Sequence, residues 1–503
     1  MSSGKKVAAA VAATIVVVVA ALVIMVPRLL DLDRYRPQVA AEIGRKTGKP
    51  ARIGRLELTL FPLVAIRVDE FGLGNPPGFP PGEVVAVKKI YARVNPLALV
   101  HHRVEITSLE LDSPAVELLK DTRGKWNFES PPGPATGSPA PRGSGSFTLG
   151  TIPKLKIVDG QFVAANLEVS GARGALLVEI RGAAIDLRQV DLGAFTAGAP
   201  ASQPPGPGEA AAASRENAPL APSGVPAAEG ALKAGAVQFG TLAVQRLRAQ
   251  LRLYPGQVFL EKLEMKCYGG RALGTVAVGF GGPSVSYATN ARLEGINMAA
   301  LLNAFPEARG KITGLLQGNA QITGMVTQSS ADPLAGITGS GLVSIGNGQL
   351  PSLELNRNLR MLALVVGLAT ADTDPSSFKS ISADFKIAEG RLSSSGIALA
   401  SNGLDVRGGG SMTLAGAGTL DYQGSASLTI DTRNPIAGVV AGIAGAKVSG
   451  NTAAFPFTIG GTLAKPSFSL KGTPGRGIAP ASLQPQADQL VRGLAGLLKK
   501  KQH

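Results

Sequence analysis

Several residue types that other classes of protein depend on are scarce in this sequence of 503 residues. A single cysteine, Cys267, excludes an internal disulfide, so strand pairing and burial must stabilise the fold. Aromatic residues make up 5% of the chain, with one tryptophan and six tyrosines. A nucleic-acid surface would interleave exposed aromatic and basic residues, and we therefore expect no nucleic-acid partner.

Residues that could form a catalytic or metal site are also few. There are three histidines, and His101 and His102 are adjacent, so on a strand they would point to opposite faces and could not chelate one ion. The glycine-rich run 407–411 is not followed by the helix of a phosphate-binding loop. Cys267 lies in an alternating strand and is predicted to be a small buried residue. We predict a protein that is not an enzyme, with no cofactor, metal or catalytic residue.

The N-terminus contains the one long apolar run. Residues 7–27 carry no charge over 21 positions, which is long enough for a helix to cross a bilayer. Lys5 and Lys6 precede the run, and bulky residues follow it where a cleavage site would need small ones. We predict an uncleaved signal-anchor with a cytoplasmic tail at 1–6 and the rest of the chain translocated. A cleaved signal peptide and a buried core helix are the alternatives.

Most of the remaining chain alternates apolar and polar residues. A period of two predicts strands with one apolar and one solvated face, as in antiparallel sheets. The alternating stretches are 55–63, 104–119, 250–267, 382–390, 424–431, 455–461 and 466–472. Between the apolar run and the C-terminal tail, helical spacing occurs at 30–48, 296–310 and 353–367. On this pattern Leu56, Leu58 and Leu60 share one face of a strand, and Leu251 and Leu253 share one face of another.

Four short stretches have the composition of a hairpin turn, with two turn residues and then glycine between apolar residues. They are "KIVDGQF" (156–162), "RLYPGQV" (252–258), "SIGNGQL" (344–350) and "KIAEGRL" (386–392). Glycine tolerates positive φ, and asparagine and aspartate adopt it more readily than most residues. Repeated hairpins predict a sheet that grows by the addition of strands.

Two stretches rich in proline, glycine, alanine and serine interrupt the alternation and are predicted to be disordered. The predicted organisation is a tail at 1–6, a membrane helix at 7–27, β-regions at 28–130, 147–197 and 232–472, disordered segments at 131–146 and 198–231, and a C-terminal tail at 473–503.

Several blocks of the chain, taken in order, resemble the AsmA family of bacterial envelope proteins. At the N-terminus they follow the apolar run and include "LDRYRPQVAAEIGRKTGKPARIG" (32–54), "LTLFPLVAIRVDEFGLGNPPGF" (58–79), "VNPLALVHHRVEITSLELDSPAVEL" (94–118) and "DTRGKWNFE" (121–129). At the C-terminus the similar blocks are 334–355, 373–392, 416–428 and 455–468. The middle of the chain, 131–290, departs from the family through its two inserts.

The resemblance implies a single-pass protein of the bacterial inner membrane whose bulk lies in the periplasm. It implies a mainly β fold, in which the transmembrane helix is followed by an elongated, open, twisted antiparallel β-groove with few helices. The expected cargo is phospholipid or another acyl lipid, sheltered in the groove during phospholipid transport or outer-membrane assembly. The groove candidates are Leu56, Leu58, Leu60, Leu251 and Leu253.

Other interpretations are an interaction scaffold that regulates targeting or assembly of outer-membrane proteins without lipid cargo, and, more remotely, a periplasmic hydrolase. The net charge of +15 favours anionic partners. At the C-terminus, residues 486–498 have an apolar helical stripe followed by Lys499, Lys500 and Lys501. This segment is predicted to dock on the last strands or to rest on an anionic membrane surface.

Overall fold

The chain folds into a mainly β structure with two compact units and few helices. The computed structural model describes residues 32–59, 64–95, 98, 105–128, 151–191, 194, 222, 224–280, 284–306, 308–327, 336–351, 377–401, 404–429 and 447–470. Unit 1 comprises Met1–Ala210 and Ala221–Met265, and unit 2 comprises Ala211–Leu220 and Lys266–His503.

Unit 1 begins with a 3-10 turn, Leu32–Tyr35, that leads into helix α1, Arg36–Thr47. The helix ends at Gly48, which adopts φ 68° and donates its N–H to the Gly44 carbonyl at 2.9 Å. Glycine suits this left-handed cap because it has no Cβ. The helix predicted over 30–48 is confirmed for the part that the structure describes.

Ten strands follow the helix. They are β1 Ala51–Arg52, β2 Arg55–Thr59, β3 Ala65–Gly74, β4 Glu83–Val94, β5 Ile106–Lys120, β6 Thr151–Leu167, β7 Arg173–Asp191, β8 Ala228–Phe239, β9 Leu242–Tyr254 and β10 Gln257–Cys267, the last of which runs two residues past the end of unit 1. β3 pairs with β1, β2 and β4, and from β4 to β9 each strand pairs with the next. All these pairs are antiparallel except β5 with β6, which is parallel.

Unit 2 has the same meandering order. Its strands are β11 Gly270–Gly279, β12 Ser284–Asn297, β13 Leu315–Thr327, β14 Thr338–Gln349, β15 Ser377–Ala388, β16 Arg391–Ala400, β17 Leu404–Thr413, β18 Leu420–Thr429, β19 Lys447–Ser449, β20 Thr452–Gly461 and β21 Pro466–Leu470. A short helix, α2 Met298–Leu302, follows β12. Strands β11 to β18 pair in sequence order, and β20 pairs with β18, β19 and β21, always antiparallel.

The architecture agrees with the coarse prediction of a large, open, antiparallel sheet with few helices. The predicted apolar span at 7–27, the histidine pair, the helix at 353–367 and the C-terminal helix lie outside the described residues. Within the described part of the chain, no helix has the length and apolarity that would suit a membrane span. Strand β8 begins at Ala228, inside the last four residues of the predicted insert 198–231.

Two of the four predicted hairpin turns are confirmed and two are wrong. Residues 255–256 join β9 to β10, and residues 389–390 join β15 to β16. Asp159, however, lies inside β6 with φ 53°, and Asn347 lies inside β14 with φ 48°. A β-bulge needs the same left-handed residue that a tight turn needs, so the local sequence does not distinguish the two.

These left-handed residues form a line across unit 1. Glu70, Ser113, Asp159 and Arg246 have φ between 50° and 53°, and Gly182 of β7 has φ 63°. The strand registers place them within one residue of a single transverse row from β3 to β9. Such residues bend a strand and shift its alternation by one position. In β9 the buried positions accordingly change from Val244 to Leu247 across the bulge.

We expect Asp159→Val to destabilise β6, because a β-branched residue at positive φ is strained by about 1–2 kcal/mol. Asp159→Gly should be neutral or slightly stabilising, since glycine adopts this conformation without strain. Hydrogen exchange of the β6 amides in the two full-length variants measures the difference. Equal protection in both variants would contradict a strained bulge at this position.

Candidate functional site

Each unit carries a continuous apolar face, built from rows of side chains that cross the strands. Paired residues on neighbouring strands point to the same side of a sheet, so the registers show which residues share a row. In unit 1, one row runs through Leu56, Val68, Ile90, Leu111, Ile157, Ile185, Leu232 and Ala249. The next row runs through Leu58, Ile66, Ala92, Leu109, Leu155, Leu187, Gly230 and Leu251. Both rows extend from β2 to β9 without a polar side chain.

Four of the five predicted groove leucines belong to this face, and Leu60 lies outside the described residues. Leu56 and Leu58 are half-buried on β2, and Leu251, with 6% of its surface exposed, ends the row that Leu58 begins. Leu253 pairs with Ala228 and packs against the buried cluster that contains Leu251. The face is thus contributed in part by the residues that the alternation indicated.

Unit 2 repeats the arrangement with its own residues. One of its rows runs through Ile296, Leu316, Ile345, Ile381, Leu399, Val406, Ala426 and Phe455. A parallel row runs through Ala272, Leu293, Gly318, Val343, Ala383, Ile397, Gly408, Gly424 and Phe457. Cys267 is half-buried against the cluster that contains Ile296, Leu316 and Ile345. Burial raises the pKa of its thiol, which keeps the group neutral.

The opposite face of each unit is polar. In unit 1 the row next to the apolar ones runs through Glu57, Arg67, Tyr91, Glu110, Lys156, Asp186, Ala231 and Gln250. In unit 2 the corresponding row runs through Thr275, Asn290, Gln321, Ser340, Lys386, Ser393, Ser411 and Asp421. An alternation this consistent fixes which side of each sheet is solvated.

The apolar face of unit 1 is only partly shielded from water. Between β2 and β6 the row residues are half-buried, whereas Leu187 on β7 is 4% exposed. The principal contacts between elements of the described chain join strands to their sheet neighbours, and the helices make theirs with β1 and β12. This pattern differs from that of a sandwich, in which a second sheet packs about 10 Å above the first and buries the inner face.

In unit 2, aromatic rings of the apolar face lie over glycines on the paired strand. The pairs are Tyr287 with Gly324, Phe385 with Gly341, Phe378 with Gly348, Tyr422 with Gly410, and Phe457 with Gly424. A Cβ at any of these glycines would lie within 2.9 Å of the ring. The glycines therefore let the rings lie flat on the sheet, an arrangement that shields the exposed backbone of the glycine. Sequence reasoning missed these pairs because they depend on register.

A buried polar network joins the four N-terminal sequence blocks that carry the family resemblance. Asn127 is fully buried; its Nδ2 donates to Asn75 Oδ1 and to the Glu117 carbonyl, both at 2.8 Å. Its Oδ1 accepts the Leu119 N–H at 3.0 Å. Lys49 Nζ donates to the Phe128 carbonyl at 3.0 Å. These bonds hold the segment after β5 against the β3–β4 loop and against the residue that follows the cap of α1. The residues of these blocks that form the network therefore have a structural role.

Two shallow depressions, about 830 Å³ and about 550 Å³, lie on the polar face of unit 2 and not on its apolar face. Arg292, Glu294 and Asn319 line the larger one, together with Asp384. Asp384 accepts hydrogen bonds from Ser395 Oγ at 2.7 Å and from the Gly396 N–H at 2.5 Å. These bonds hold the bulge of β16 in place.

The same hydrogen bonds lower the pKa of Asp384 from 3.8 to about 2, and the bond from Ser395 Oγ makes the largest contribution. A carboxyl whose pKa is depressed by folding contributes stability above its unfolded pKa and loses it as the pH falls through the folded one. We therefore expect wild-type unit 2 to lose its stability advantage over Asp384→Asn between pH about 4 and about 2. Urea unfolding at several pH values measures this difference, and Ser395→Ala should reduce it. A difference that does not change with pH would contradict the assignment.

The fold and its faces define a class of protein: an open β-sheet protein with one continuous apolar face in each unit. Residues 1–133 match the model of the AsmA family, which confirms the resemblance of the N-terminal blocks and supports membership of that family. No curated protein and no solved structure gives a significant match to the chain. The resemblance of the C-terminal blocks stays a prediction.

Proposed function

We propose that this protein is an inner-membrane-anchored envelope protein that shelters lipid acyl chains on its apolar face. In this proposal the chains lie across the apolar rows, away from water, during phospholipid transport between membranes or outer-membrane assembly. The observation that supports it most is the apolar face of unit 1, which continues over eight strands. Across β2–β6 this face is half-buried, and among the described residues no second sheet packs on it.

The dimensions and energetics of the face suit an acyl chain. Eight strands spaced by about 4.8 Å give rows about 34 Å wide. Each methylene removed from water contributes about 0.8 kcal/mol, so a chain of about fourteen carbons gains on the order of 10 kcal/mol. The cost of association reduces this value.

Lipid analysis of the purified full-length protein tests the proposal. Protein extracted in a mild detergent and passed through size exclusion should retain phospholipid at a constant molar ratio, measured by mass spectrometry after organic extraction. A folded membrane protein of similar size, purified in parallel, gives the background from annular lipid. A ratio no higher than this background would contradict cargo binding and would favour the scaffold hypothesis, in which the same surface binds envelope proteins.

A further inference from the structure

The polar face of unit 1 carries two different charge patterns. Across β2–β5, one row alternates in sign through the successive partners Arg55, Asp69, Lys89 and Asp112. Where the same side of the sheet reaches β8 and β9, Lys233 lies directly opposite Arg248. Like charges in this position destabilise a strand pair. The Lys233–Arg248 pair thus differs from the alternating row of β2–β5.

A second like-charge pair lies nearby, where Lys154 of β6 is opposite Arg188 of β7. Two carboxylates lie beside this pair. Asp186 Oδ2 is 3.8 Å from Lys154 Nζ, and Glu229 is the partner of Arg188 across β7–β8. The compensation is therefore partial here, while Lys233 has Ala184 and Arg248 as its partners on the two neighbouring strands.

Other cations close to these strands do have close partners. Lys156 lies 3.3 Å from Glu110, Arg252 lies 3.0 Å from Glu261, and Arg181 lies 2.6 Å from Glu179. Arg188, Lys233, Arg246 and Arg248 are exposed and form no ion pair among the described residues. We call these four residues the cationic surface.

The two stretches that interrupt the strands of unit 1 carry few carboxylates that could neutralise the cationic surface. The stretches 129–150 and 195–221, which interrupt the strands of unit 1, contain three carboxylates: Glu129, Glu209 and Glu216. An external anion is the simpler counterpart. Guanidinium groups bind phosphate oxygens in bidentate geometry, and three of the four cations are arginines.

We propose that the cationic surface binds an anionic membrane through its lipid phosphates. The four cations are exposed on sheet strands and line neither described depression, so the surface suits many phosphates in a plane better than one small anion. In the row next to Lys233 and Arg248, the paired residues Ala231 and Gln250 are uncharged. No aromatic anchor typical of a protein interface lies among the four cations. Docking in this way leaves the apolar face free. The inference rests on the proposed membrane anchoring and not on the cargo.

Energy transfer from the cationic surface to a vesicle tests this inference. The full-length protein with Cys267→Ser and Gln250→Cys, labelled at position 250, is reconstituted with vesicles whose headgroups carry an acceptor. Vesicles of phosphatidylcholine are compared with vesicles that also contain phosphatidylglycerol. We expect stronger transfer with phosphatidylglycerol and a loss of the difference at high salt, because the interaction is screened.

Two matched variants decide whether the cationic surface is responsible. Changing Arg188, Lys233, Arg246 and Arg248 to glutamine should abolish most of the phosphatidylglycerol-dependent transfer. The control variant should retain the phosphatidylglycerol-dependent transfer. It changes four cations of unit 2 to glutamine: Lys379, Lys386, Arg391 and Arg407. Circular dichroism verifies that both variants fold.

Three results would overturn the inference. They are equal transfer with the two kinds of vesicle, an equal loss of transfer in both variants, or no loss of transfer in the variant of the cationic surface. Equal transfer with the two kinds of vesicle is also the result expected if the cationic surface binds an acidic protein. Because the readout does not involve bound cargo, a failure here leaves the lipid analysis unaffected, and a protein without cargo could still dock.

Discussion

Asn127→Leu should destabilise unit 1 by about 3 kcal/mol or more, the largest effect expected of a single substitution in the N-terminal region. The leucine would leave the Leu119 N–H, the Glu117 carbonyl and Asn75 Oδ1 without the bonds that Asn127 supplies. Each buried group left unsatisfied costs about 1–3 kcal/mol. Urea unfolding of the full-length variant, with hydrogen exchange at the Leu119 amide, measures the loss.

Lys125→Ala is the matched control for this prediction. Lys125 is exposed in the same segment, and its backbone N–H, which bonds to Asp121 Oδ1 at 2.8 Å, is unaffected by the change. It should alter the free energy of unfolding by less than about 0.5 kcal/mol. Similar urea midpoints for the two variants would show that the Asn127 network does not stabilise unit 1.

A lysine on the apolar face should remove bound lipid while a lysine one residue away should not. Val343 is half-buried on the apolar face of β14, and its neighbour Leu342 is 59% exposed on the polar face, opposite Asp384. Val343→Lys places an ammonium group among the acyl chains, where burial of a charge is costly. We expect the lipid-to-protein ratio to fall several-fold in Val343→Lys and to stay unchanged in Leu342→Lys.

Both variants must remain folded for the comparison to hold. The long lysine stem can lie along the apolar row while its charged end reaches water, so an open face tolerates the change. In a closed core, Val343→Lys would unfold unit 2. Loss of the folded state in Val343→Lys, with Leu342→Lys intact, would therefore argue for a buried core and against an accessible lipid-binding face.

The two faces could be predicted from the sequence because a period of two determines them residue by residue. The alternation placed Leu56 with Leu58, and Leu251 with Leu253, on apolar faces, and the structure agrees. The sequence could not predict that Leu58 and Leu251 lie at the two ends of the same row, because this depends on seven successive strand registers. For the same reason it could not predict the parallel pairing of β5 with β6.

The wrong hairpins have a local cause. Asp159 and Asn347 each precede glycine and adopt positive φ, as a turn would require, but the strand continues on both sides of them. Turn chemistry and bulge chemistry are the same over four residues, and the choice between them is made by the neighbouring strand. The Asn127 network was missed because its partners are up to 52 positions away in the sequence.

Photocrosslinking at adjacent positions on opposite faces tests the central claim most directly. A photoreactive amino acid is placed at Ile157 or Ile185 on the apolar face, and at Lys156 or Asp186 on the polar face, of the full-length protein in cells. Intact-mass spectrometry then detects lipid adducts after irradiation. Sheltering of acyl chains predicts adducts at 157 and 185 and none at 156 and 186. Adducts at all four positions, or at none while the protein is folded, would contradict it.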